Sequence, residues 1–178
     1  MTSPYKQLLA VVAAGTVLAG TATAATATAA SSLRYQCSTS TKGIDDAGYS
    51  GPWPDTWDVT VQVCAARSGS TVHAYADVRW DGPAFYGTAA EILDGAKIRV
   101  QIMQSKTGTV PVVVERDFPL KARMERTASK GDHDGHFRTL TISHRAAGSA
   151  YGDGVLFLDW HKDGRGYRAH DYAGSPTV

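Results

Sequence analysis

The stretch Trp57-Asp58-Val59-Thr60-Val61-Gln62-Val63-Cys64-Ala65-Ala66-Arg67-Ser68-Gly69-Ser70-Thr71-Val72-His73-Ala74-Tyr75-Ala76-Asp77-Val78-Arg79-Trp80 decides the fold class. Its period is two. Trp57, Val59, Val61, Val63 and Ala65 fall on one face, with Asp58, Thr60, Gln62 and Cys64 on the other. After Arg67-Ser68-Gly69-Ser70 the alternation resumes, with Val72, Ala74, Ala76, Val78 and Trp80 as the apolar set. Successive side chains of an extended chain point to opposite faces, so each half reads as a half-buried strand. The Gly-Ser turn between them reads as a hairpin.

The same pattern continues outward. Ile98, Val100 and Ile102 alternate with Lys97, Arg99 and Gln101. Further strands are expected at 110–116, 120–126, 136–145, 154–161 and 165–172, with turns at Lys106-Thr107-Gly108-Thr109 and Asp163-Gly164. The helical cue is Thr88-Ala89-Ala90-Glu91, spaced as a capping box and closed by Asp94-Gly95, so at most a short helix is expected near 88–94. Seven or eight short strands with turns at this spacing predict an all-β chain folded as one antiparallel β-sandwich.

The N-terminal region predicts export. Lys6 precedes an apolar stretch from Leu8 to Gly20, followed by small residues ending in Ala27-Thr28-Ala29. That is the layout of a cleavable secretory signal peptide over residues 1–29, leaving 30–178 as one domain. The apolar stretch is shorter than the roughly 20 residues that span a bilayer, so no stable membrane anchor is expected in the mature chain. A secreted, extracellular location follows, and an oxidising compartment favours a disulfide between the two cysteines, Cys37 and Cys64. Cys64 sits on the polar face of its strand. The bridge should therefore tether the segment 30–56 across the outer face of that sheet or against its edge.

Charge narrows the partners. The chain has 18 Lys and Arg against 17 Asp and Glu; losing Lys6 with the leader leaves 17 of each. A neutral domain lacks the excess positive charge that drives nonspecific nucleic-acid binding. Charge is unevenly spread, however, with ten basic and five acidic groups in 97–145.

Three groups of residues carry candidate chemistry. Tyr49, Trp53 and Tyr86 are loop aromatics, whose apolar faces and polar edges suit a sugar ring or a partner's side chain. Trp57 and Trp80 lie on apolar faces and read as core. In Asp159-Trp160-His161-Lys162-Asp163-Gly164, Asp159, Asp163 and Gly164 match positions one, five and six of a calcium loop. His161 stands where an oxygen ligand belongs, and a β-hairpin turn explains the same residues. Asp132-His133-Asp134-Gly135-His136 offers His133 and His136 as transition-metal ligands, without a further ligand at diagnostic spacing. No cofactor other than calcium is suggested. The chain has no Gly-x-Ser-x-Gly elbow, no His-Glu-x-x-His and no phosphate loop.

These features favour a secreted, non-enzymatic protein that binds an extracellular polysaccharide or protein. A secreted protease inhibitor and a small extracellular metal-dependent hydrolase are the alternatives.

Overall fold

A computed structural model describes residues 33–45, 56–82, 92–126 and 133–178. The leader, Tyr49, Trp53, Tyr86 and the helical cue at 88–91 lie outside the described residues. Leu93 and Asp94, the end of that expected helix, belong to a strand instead.

Nine strands and one short helix are present among the described residues: β1 (Gln36–Ile44), β2 (Trp57–Ser68), β3 (Thr71–Asp81), β4 (Leu93–Gln104), β5 (Val112–Pro119), α1 (Lys121–Met124), β6 (Gly135–Arg138), β7 (Ile142–Arg145), β8 (Ala150–Trp160) and β9 (Arg168–Asp171). They form two antiparallel sheets. One has the order β1-β2-β3-β6, with β7 also paired to β3; the other has the order β5-β4-β8-β9. The chain is an all-β sandwich with one disulfide.

The alternation read from the sequence is what closes the two sheets. Val59, Val61, Val63 and Ala65 of β2 and Val72, Ala74, Ala76 and Val78 of β3 are fully buried. They meet Ile98, Val100 and Ile102 of β4 and Leu156, Leu158 and Trp160 of β8 in one core. Trp57 and Trp80 join that core as expected. Gly154 of β8 lets the sheets approach, since a Cβ there would stand 2.8 Å from Val63 Cγ2. The β2–β3 turn has two residues, Gly69 and Ser70, between the paired Ser68 and Thr71. Gly69 takes a positive φ of 56°, as a type II′ turn requires at its first central position.

One strand adds to those expected: the segment 36–44 is a full strand, although no apolar alternation marks it. Three expectations are corrected. The segment 120–126 is not a strand: Leu120 and Met124, four apart, both turn inward from a helical turn and are buried. The strand expected over 136–145 is two. β6 pairs Asp77 with Arg138 and β7 pairs Ala74 with Ile142, so three residues, 139–141, face Tyr75 and Ala76. That extra residue is a bulge, fixed where the Ala76 N–H donates to Thr139 Oγ1 at 3.0 Å and Thr139 N–H donates to Ala76 O. Its cost is Leu140, left 66% exposed. Finally, Asp163-Gly164 is not a two-residue hairpin turn. β8 ends at Trp160 and β9 starts at Arg168, and the loop between carries positive φ at Lys162, Gly164 and Gly166.

Candidate functional site

The disulfide locates the site. Cys37 and Cys64 are directly opposed across β1 and β2, with Cα atoms 4.1 Å apart. Cys64 is buried but stands outside the inter-sheet core, on the outer face, beside its β3 neighbour Tyr75. The bridge thus fastens β1 as the edge strand, one of the two arrangements the sequence allowed. Tyr35 meets the Tyr75 ring edge-on at 4.9 Å, and the Arg138 guanidinium covers that ring at 3.9 Å.

Below this aromatic end, register sets polar side chains in rows across four strands. The first row is Thr39, Gln62, Asp77 and Arg138. The second is Thr41, Thr60, Arg79 and His136, and the third is Gly43, Asp58 and Asp81. On β2 and β3 each alternates with an apolar inward residue, so that part of the sheet face is polar because its reverse is core. Gly43 leaves that corner of the face without a side chain.

Two adjoining hollows lie on this face. One, of about 260 Å³, is lined by Thr39, Thr60, Gln62, Asp77 and Arg79. The other, of about 280 Å³, is lined by Asp58, Thr60, Arg79, Trp80 and Asp81. Thr60 and Arg79 belong to both, which makes one continuous shallow groove. Its walls are held by their own hydrogen bonds. The Thr41 and Thr60 hydroxyls are 2.7 Å apart, and Gln62 Nε2 donates to Thr39 Oγ1 at 3.1 Å. His136 Nε2 lies 3.0 Å from Asp77 Oδ1, while Arg79 Nε stays 3.8 Å from that oxygen with its side chain 73% exposed. The groove therefore offers hydroxyl, amide, carboxylate and guanidinium groups within one patch. Such a set can bind a neutral, hydroxyl-rich ligand through many modest hydrogen bonds.

The residues singled out for metal fall in different places. His133 is fully buried, its ring edge-on to Trp57 at 6.1 Å and its Cβ close against Gly82. His136 lies on the outer face with Asp77, so the two histidines are not brought together. Asp159 and Asp163 do come near one another at the far end of β8. A bulge at Asp94, between the pairs Leu93–Trp160 and Gly95–Asp159, aims a third carboxylate toward them. The Lys162 N–H, first, and His161 Nδ1, both at 2.8 Å, hold the Asp94 carboxyl below its ordinary range. Partial burial, then the charges of Asp94 and Asp163, push Asp159 up. Asp163 Oδ1 accepts the Arg165 N–H at 2.8 Å, a local turn bond. Among the described residues, no group of three or more His, Cys, Asp and Glu side chains is arranged to hold a metal ion.

Sequence reasoning passed over the groove. Thr60, Gln62, Asp77 and Arg79 were visible as polar alternates, but only the pairing of β1 makes a wall of Thr39. No family model matches this chain, and neither a curated protein nor a solved structure is significantly similar to it.

Proposed function

We propose that the domain is an exported, non-enzymatic binding module, and that the groove on the β1-β2-β3-β6 face receives an extracellular polysaccharide. The observation that carries this reading is the convergence of Thr39, Thr60, Gln62, Asp77 and Arg79 on one open hollow. A balanced charge and a hydroxyl-and-amide lining favour sugar hydroxyls over a strongly charged ligand. The disulfide suits an oxidising compartment.

Each neutral hydrogen bond contributes roughly 0.5–1.5 kcal/mol net, so four such bonds give about 4 kcal/mol and a Kd near millimolar for one short segment. Useful retention then depends on a polymer engaging many copies or many segments. The test is depletion of the purified domain by a panel of insoluble glucans, chitin and isolated cell wall. Retention on one polymer that falls when Gln62→Ala and Asp77→Ala are combined supports the reading. Absence of retention on every polymer, or equal retention of the variant, overturns it.

A further inference from the structure

A second surface, remote in chemistry from the groove, lies beside α1. A hollow of about 430 Å³ is lined by Pro119, Lys121, Ala122, Arg123 and Arg126. Three cations thus share this lining with a proline and an alanine, and their own aliphatic stems add to its apolar part.

The acid in the same segment makes no ion pair with them among the described residues. Glu125 Oε1 accepts the backbone N–H groups of Ile92 and Leu93, each at 3.0 Å, and so is committed to the start of β4. Lys121 feels Asp94, whose carboxyl it helps to hold ionised. Arg123 and Arg126 are exposed and make no ion pair among the described residues. The contrast with the outer face of the other sheet is direct. There Lys97 and Arg99 meet Asp117 at 2.7 Å, and Arg99 also meets Glu115 at 3.2 Å. Arg123 is moreover held in place, its guanidinium 4.5 Å from the centre of the Phe137 ring. A planar guanidinium fixed on an aromatic face keeps its outer N–H groups aimed at solvent, ready for a two-point contact with an oxyanion.

We propose that this hollow binds the oxyanion groups, carboxylate or phosphodiester, of an anionic extracellular polysaccharide. The apolar part of the lining takes the face of a sugar ring while Arg123 and Arg126 take its pendant charge. A folded acidic protein would need a wider cationic surface than this hollow offers. Exposed charges separated by more than a Debye length, about 10 Å at 0.1 M salt, are screened, so binding here must weaken with salt.

The experiment measures binding of the mature domain to polygalacturonate, to a phosphomannan, to neutral dextran and to anionic phospholipid vesicles, at low and at about 0.3 M salt. The first two probes separate carboxylate from phosphodiester recognition. Wild type is expected to bind at least one of them with roughly tenfold or greater weakening across the salt range, and any binding of dextran, which belongs to the groove, is expected to ignore salt and the arginine variants. Arg123→Gln combined with Arg126→Gln, and separately Arg126→Glu, are expected to weaken binding at least about tenfold by losing charge-assisted contacts. Lys106→Gln, a cation on the β4–β5 turn, and the groove variant Gln62→Ala should leave it unchanged. Unaltered melting temperatures show that the variants fold; Arg126→Glu, which leaves the Arg123–Phe137 contact intact, serves if the double variant does not. No binding of either polyanion, equal binding by Arg126→Glu, or equal affinity for anionic phospholipid vesicles overturns the proposal. Because Gln62→Ala reports only on the groove, the two readings fail independently.

Discussion

Removing the disulfide should do more than lower stability: it should release one particular strand. The perturbation is Cys37→Ala with Cys64→Ala, alanine being chosen because a serine would bury a hydroxyl at the fully covered position 64. The cross-linked residues are 27 apart. In the chain-entropy model a loop of that length contributes about 3.5 kcal/mol, which for a domain of this size is a fall in Tm of roughly 7–14 °C. The loss should be concentrated in β1. Of its nine residues only Ile44 enters the core; Ser38, Ser40 and Lys42 occupy the inward positions and bury little apolar surface. What else holds β1 is its ladder with β2 and polar contacts such as Gln62 to Thr39 and the Ala173 N–H to Ser40 Oγ. Ordering a residue costs about 1–2 kcal/mol of backbone entropy, so a polar edge strand without its staple should fray from the Gln36 end. Calorimetry gives the global term and native-state hydrogen exchange the local one. Amides of β1 are expected to lose protection while those of β8 keep it at the new global limit. A Tm within about 2 °C of wild type, with β1 protection unchanged, would refute the reasoning.

Two further outcomes can be checked on the same protein. Arg99, with Lys97 beside it, holds the Asp117 carboxyl down at about 2, against an ordinary value near 3.8. A depressed carboxyl stabilises above its unfolded value and loses that contribution as pH falls from about 4 toward 2. Because Asp117 is 34% exposed, screening reduces the effect to about 1 kcal/mol. The Tm difference between wild type and Asp117→Asn should therefore shrink steadily as pH falls from about 4 to 2, and a difference that stays constant from pH 5 to 2 would count against the ion cluster. Tyr172 is the second case: burial pushes its phenol up, and its hydroxyl has no hydrogen-bond partner among the described residues. Tyr172→Phe removes an unsatisfied polar atom, so it should raise unfolding free energy in urea by about 1 kcal/mol; a fall would reveal a hidden partner.

The sequence disclosed most where burial is one-sided. β2, β3 and β4 announce themselves because every second side chain must enter the core. β1 was silent for the same reason in reverse. At the sheet edge its inward Ser38, Ser40 and Lys42 need not be apolar, and its place is fixed by pairing and the bridge. The turn at 120–124 could have been read from Leu120 and Met124, whose spacing of four is helical, but two apolar residues are too few to separate period two from 3.6. The bulge at 139–141 depends on a hydrogen bond from Ala76, 63 residues away, and has no local signature. The groove shares that limit: its eight lining residues come from three strands, and only register joins them.

The most direct test of the binding surface is a ¹⁵N-resolved NMR titration of residues 30–178 with a soluble oligosaccharide of the retained polymer. Shifts are expected to centre on Thr39, Thr60, Gln62, Asp77 and Arg79 and to saturate near millimolar concentration. Shifts confined to the outer face of the β5-β4-β8-β9 sheet, or none at saturating ligand, would contradict the assignment.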